Sequence, residues 1–280
     1  MNFSPTCGEK LHSDNVVGLF KLVLLRGMFL SAVLPLWLRY VFSDLLSLVA
    51  LIICKDKRIA VYDNLSLILN NPTISDVWRV FSEYGRYWAD LPDMYKSILT
   101  APKTYSGDPF PPPDLNFLGL TFHLGNFEVF GTLIHLQFNR KLNVVAERLK
   151  PDRLSNYFKT KRSLYHINTI THDDMRAVIK TLKRGNGLGI LCDRVISGKG
   201  VEATLFGKKT TMPLNLVEYA LRENIPVYIS YCIKEGKELK IFCKKLDDSV
   251  DFKKAVKIIT STLENAVREY PYQWHLLSPI

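Results

Sequence analysis

The stretch LNFLGLTFHLGNFEVFGTLIHLQF (Leu115–Phe138) decides how the second half of the chain is read. Its first part, LNFLGLTF, is a short apolar run of the kind that forms a buried strand. Its last part is longer and reads as a helix from Asn126 to Phe138. Between them Gly125 permits a tight turn, and Asn126 has the side chain of an N-cap. The apolar run pauses there for His123 and Glu128.

Outward from this stretch the alternation continues. LNVVAE, GLGILC, VEATLF, IPVYISYCI and LKIFC read as strands, and helices are expected at Pro151–Tyr165, Asp173–Lys183, Pro213–Arg222 and Asp251–Tyr270. Such alternation predicts an α/β fold, a central mostly parallel sheet flanked by helices. Upstream, GDPFPPPD (Gly107–Asp114) reads as a rigid linker. It separates an N-terminal helical region, residues 1–106, from an α/β core, residues 107–280, and the two are expected to form one integrated domain.

Within the N-terminal region, Val16–Cys54 is strongly apolar but interrupted by Lys21, Arg26, Arg39 and Asp44. Its longest uncharged runs have 12 and 10 residues, whereas a clean transmembrane helix needs about 20. The pattern fits helices lying in a membrane interface with Lys and Arg snorkelling. A buried helical hairpin and a single span are the alternatives. No signal peptide is expected, because the first dozen residues are polar and no small-residue cleavage site follows. Further on, Val77, Val80, Phe81, Tyr84, Tyr87 and Trp88 recur at helical spacing after the Asn71-Pro72 break, with Thr73 or Ser75 as cap.

A chain of 280 residues with 47% hydrophobic content can bury a full core. Its net charge of +10, from 37 basic and 27 acidic residues, favours an anionic partner. The apolar N-terminus makes that partner an anionic membrane surface, on the cytoplasmic face of the inner membrane, and no nucleic-acid motif is present. Five scattered cysteines without a CxxC suit a reducing compartment and argue against a disulfide framework or a metal site. Cys192 and Cys232 read as core residues.

His123 falls at the C-terminal end of its strand, the edge where ligand sites of α/β sheets gather. Glu128, in the first helical turn, could fold back on the imidazole, fix its tautomer and raise the basicity of the free nitrogen. No Ser or Cys stands in the motif, so such a base would act on a hydroxyl brought by the substrate. The bland alternative is turn chemistry plus a carboxylate that complements a helix dipole, and spacing alone does not choose. His172-Asp173-Asp174 reads as a helix cap and not a metal set, His135 as a helix-face residue, and KTLKRGNG (Lys180–Gly187) as helix C-cap chemistry.

Several ordered blocks add to this. HLGNFE (His123–Glu128) resembles the HxGNWE block of the bacterial lipid A late acyltransferase family, within the glycerolipid acyltransferase superfamily. YDNLSLIL, VVAERLKPDRLSNYFKTKR (Val144–Arg162), LCDRVISGKGVEATLFGKKTTMPLNLVEYALRENIPVYI (Leu191–Ile229) and PYQWH resemble its other blocks in order. The wording AERLKPDRL and GKGVEATLFG is most similar to the phosphatidylinositol mannoside acyltransferase branch.

The resemblance implies an enzyme that moves an acyl group from an acyl thioester, acyl-CoA or acyl-carrier protein, directly onto a lipid or glycolipid hydroxyl, without cofactor or metal. It implies His123 as base, Glu128 as its orienter and Glu202 as a second acid acting with the histidine. Asn126, Glu147, Arg148, Arg162, Asp193 and Arg194 match positions of the substrate groove. Acylation of a lysophospholipid and a catalytically silent lipid-binding relative are the rival readings. The chain departs from the pattern at Phe127, where tryptophan is commoner, at Tyr272, where a glutamate is usual, and in LLSPI, which lacks the family's arginine.

Overall fold

In the computed structural model residues 23, 25–112, 114–184, 187–196 and 200–280 are described. Two strands carry the architecture. β2 (Leu118–Thr121) and β5 (Leu188–Leu191) lie side by side and parallel at the centre of a seven-stranded sheet. On one flank follow β3 (Leu142–Ala146) and β4 (Ile167–Thr171); on the other come β8 (Val227–Glu235), β9 (Glu238–Lys245) and β1 (Lys103–Gly107). Among the described residues only the β8–β9 pair in this sheet is antiparallel, so the expected mostly parallel α/β architecture is the observed one. β6 (Val201–Leu205) and β7 (Lys208–Met212) form a separate hairpin.

The helices, in chain order, are α1 (Leu36–Ile53), α2 (Lys55–Ser66), α3 (Ile74–Asp90), α4 (Met94–Thr100), α5 (Val129–Phe138), α6 (Asp152–Ser163), α7 (Met175–Lys183), α8 (Asn215–Arg222) and α9 (Phe252–Glu269). One face of the sheet packs Leu118, Leu120, Phe122 and Leu188 against α7, α8 and α9 through Leu182, Val217, Ile259 and Leu263. The other face meets α4 and α5 through Ile98, Val129, Phe130 and Leu133. Burial on both faces is why the strands read as unbroken apolar runs.

Three strands escape the sequence pattern. β1, β4 and β7 read KTYSG, INTIT and KKTTM, polar or alternating segments whose side chains are largely exposed in β1 and β7 and mostly half-buried in β4. Edge and hairpin strands need only one covered face, so they lack the apolar run. β1 also ends where the domain boundary was expected, at residue 107, and pairs along its whole length with β9. The following linker is fastened to the same edge by Asp108, which donates its backbone N–H to Cys243 and accepts from the Lys245 backbone.

The capping choice in α3 falls on Thr73, which exchanges side-chain and backbone hydrogen bonds with Asp76 in a capping box. Asp174 caps α7 by accepting from the Ala177 backbone, as the cap reading of His172-Asp173-Asp174 required. The Gly185-Asn186 part of the expected C-cap lies outside the described residues, as do residues 16–22 and 24 of the apolar N-terminal stretch.

Among the described residues one helix, α1, is long and apolar enough to cross a membrane by length and composition. It packs with its polar side inward. Arg39, Ser43 and Ser47 are buried, and Arg39 donates to the Ala89 carbonyl and pairs with Asp93. Asp44 receives Ser82 at 2.5 Å and Arg86 at 2.7 Å from α3. Trp37, Leu46 and Ile53 are 66%, 65% and 71% exposed. A buried core helix would show the opposite pattern, so the buried-hairpin alternative does not describe α1.

Candidate active site

Thr121 is the register partner of Leu191. The chain runs on two residues past each member of that pair, to His123 and Asp193, and equal offsets from a parallel ladder bring both to the same edge. The chain leaving β2 goes to β3 through α5, while the chain leaving β5 goes to β8 through the hairpin and α8. Connections that part in opposite directions mark the place in a sheet, at the strands' C-terminal ends, where α/β folds gather their ligand sites.

The result is a dyad. His123 Nδ1 lies 2.7 Å from Asp193 Oδ1, and the His123 backbone N–H donates to Asp193 Oδ2 at 2.9 Å. Trp274 Nε1 donates to the same oxygen at 3.1 Å. The Asp193 side chain is fully buried, whereas that of His123 is 20% exposed. Burial alone would raise the Asp193 carboxyl. The charge of His123 and the hydrogen bonds from its ring, Trp274 and the His123 backbone outweigh it and hold the group below the usual carboxylate range. An ionised carboxylate only accepts, so Nδ1 carries a proton, and in the neutral form of the ring the lone pair then lies on Nε2.

The loop carrying His123 is clasped from two sides. Gly125 donates to the Gln273 carbonyl and Asn126 to the Cys232 carbonyl, at 2.9 and 2.8 Å. His275 donates its backbone N–H to the His123 carbonyl at 2.6 Å. Gly125 has φ +57, and a Cβ there would run into the Cys232 carbonyl, so this position needs glycine on both counts. The His275 ring is buried against Tyr84 and Tyr87. Burial, with the charge of His123 behind it, pushes its pKa down to about 3.

The expected orienter, Glu128, is engaged elsewhere. Its Oε1 lies 2.6 Å from Arg162 Nη2 and 2.8 Å from Arg162 Nε. This bridge joins the end of the turn to α6. The helix after the motif starts at Val129, not Asn126, because Asn126 turns its side chain to Asp90 instead of capping. The carboxylate on the histidine is therefore Asp193, not Glu128. Glu202 sits exposed on β6 opposite Thr211, and no hydrogen bond or ion pair joins it to His123 among the described residues.

The remaining predicted residues line the same edge. Glu147, just past β3, pairs with Arg194 at 2.8 Å. Asp193 and Arg194, adjacent in sequence, thus serve different partners. Arg148 reaches Asp152 and Asp173 at 3.3 and 3.4 Å with half its side chain exposed. Sequence reasoning gave no role to Trp274, His275, Gln273 or Asp90. The PYQWH block was the only local signal, and it marked the segment without its purpose.

A histidine held by a buried carboxylate at the C-terminal end of an α/β sheet is an arrangement that can act as a general base. The model of the bacterial lipid A biosynthesis acyltransferase family matches residues 113–279, and the chain belongs to that family. Among curated proteins, a phosphatidylinositol mannoside acyltransferase of Mycolicibacterium smegmatis is 23% identical over 164 residues, 56% of this chain and 54% of that protein. Another of that name, from Mycobacterium tuberculosis (strain CDC 1551), is 23% identical over 212 residues, 70% of this chain and 67% of its own length. The matched stretch spans about half to two thirds of these relatives.

Proposed function

We propose that the protein is a membrane-associated acyltransferase that moves a fatty acyl group from an acyl thioester, acyl-CoA or acyl-carrier protein, to a hydroxyl of a lipid or glycolipid. The observation that carries this reading is the 2.7 Å contact between His123 Nδ1 and Asp193 Oδ1, in a chain of an acyltransferase family. His123 Nε2 takes the proton of the acceptor hydroxyl as its oxygen attacks the thioester carbonyl. The new C–O bond forms, the C–S bond breaks, and the proton passes to the departing sulfur. Asp193 keeps the ring in the required tautomer and stabilises the imidazolium between those steps. Such base catalysis contributes about 10²–10⁴ in rate, and holding both reactants in one crevice supplies more. The half-exposed Arg148 guanidinium at the rim suits a phosphate of either substrate.

The outward apolar face of α1 supports attachment to a membrane, and the net charge of +10 supports the anionic cytoplasmic face of the inner membrane. The test is acyl thioester consumption by the purified protein with vesicle-borne acceptors. A phosphatidylinositol mannoside, the lipid in the relatives' names, comes first, and a lysophospholipid second. His123→Ala is expected to stop transfer while the fold, read by circular dichroism, persists. Undiminished turnover in that variant overturns the mechanism.

A further inference from the structure

One buried ionic cluster belongs to none of the chemistry above. Asp90, at the end of α3, is 5% exposed. Lys234 Nζ lies 2.7 Å from both of its carboxylate oxygens. The Tyr40 hydroxyl donates to Oδ1 at 2.7 Å, and Lys234 Nζ donates in turn to the Tyr40 oxygen at 2.7 Å. Asn126 Nδ2 approaches Oδ2 at 3.4 Å.

These four groups come from four places. Tyr40 is on α1, the helix with the exposed apolar face; Lys234 is on β8; Asn126 is in the turn three residues beyond His123. Lys234 reaches that turn by a second route as well. Its backbone N–H and C=O are clasped by the Gln273 side chain at 3.2 and 2.8 Å, and the Gln273 carbonyl takes the Gly125 N–H. Both arms converge on Gly125-Asn126. A buried ion pair is a poor source of net stability, since apolar residues of similar volume commonly do as well. A fixed carboxylate linking three elements does something apolar packing cannot: it sets direction.

We infer that Asp90 is a positioning residue, through which Tyr40 of α1 and Lys234 of β8 together hold the Gly125-Asn126 turn, and so His123, in its working orientation. The kinetic arm of this inference rests on the acyl-transfer reading; the exchange arm below does not. A misplaced base loses rate without losing substrate affinity.

The experiment separates positioning from stability. Asp90→Asn alone strands the Lys234 charge and is expected to lower both melting temperature and kcat. Asp90→Asn with Lys234→Met removes the stranded charge and is expected to recover the melting temperature, while kcat stays about tenfold down at unchanged KM. Recovery of kcat along with stability overturns the inference. Tyr40→Phe is expected to lower kcat severalfold on vesicle-borne acceptor with unchanged vesicle binding, and an unaltered kcat removes α1 from the proposal. Should the wild-type protein show no acyl transfer, the function reading fails and hydrogen exchange decides the positioning claim. In the stability-matched double variant the Gly125 and Asn126 amides exchange faster if Asp90 holds the turn, and unchanged protection overturns it.

Discussion

Thr121 lies opposite Leu191 across the β2–β5 ladder, and two residues further along each strand that register becomes the contact between His123 and Asp193. The dyad is thus a property of the sheet. Each partner leaves its strand at the same level and on the same side, and the clasped Gly125-Asn126 turn then fixes the chain that carries His123.

Removing the charge of Asp193 without its shape tests this directly. Asp193→Asn is expected to cut the rate of acyl transfer by about 10²–10⁴, because an amide no longer enforces the Nδ1–H tautomer. Thioester release under saturating donor and acceptor is the measurement. A rate within threefold of wild type would leave Asp193 without its role.

Glu128 is expected to behave differently. Its partner Arg162 is 21% exposed and Glu128 itself 10%, so Glu128→Gln leaves a largely buried guanidinium without its counter-charge and costs about 3 kcal/mol of stability. Glu128→Gln with Arg162→Met is expected to regain most of that. Urea unfolding of the three proteins gives the comparison. If Glu128→Gln unfolds like wild type but stops transfer, Glu128 acts on the histidine after all.

The depressed pKa of His275 makes a pH prediction. In the unfolded chain this imidazole takes a proton near pH 6.5, and in the folded protein only near pH 3. Between those values the unfolded state binds more protons, so stability falls as pH is lowered. Above about pH 6.5 both states are neutral and this group no longer makes stability depend on pH. The slope contributed is up to about 1.4 kcal/mol per pH unit. Denaturation at intervals from pH 7 to 4 is expected to show a steeper acid loss in wild type than in His275→Gln. Equal slopes would mean that the ring reaches solvent.

The exposed side chains of α1 predict binding without folding. Phe42, Leu46 and Val49 are exposed, so replacing all three by serine is expected to leave the melting temperature nearly unchanged. Losing about 1 kcal/mol of apolar contact at each lowers partitioning to anionic vesicles about a hundredfold. Co-sedimentation is the assay, and undiminished binding would place the membrane contact on another surface.

The chain's own order determined a good deal. The apolar runs at Leu118, Leu188 and Val227 became central strands, and the Gly125 turn fell where the pattern broke. The His123 block and the PYQWH block both lie in the site. These are properties of consecutive residues: periodicity, turn chemistry and burial on two faces are written locally. The polar edge strands β1, β4 and β7 were not legible, because one-sided or exposed strands need no apolar run.

Only the tertiary structure decided which acid serves the histidine. Glu128 is five residues away along the chain and turns to Arg162, whereas Asp193 is 70 residues away. Sheet neighbours are chosen by where crossover helices carry the chain, and no local spacing encodes that β5 lies beside β2. The same holds for α1. Its composition is apolar either way, and only packing Arg39 and Asp44 inward on Asp93 and Arg86 turns its greasy face outward.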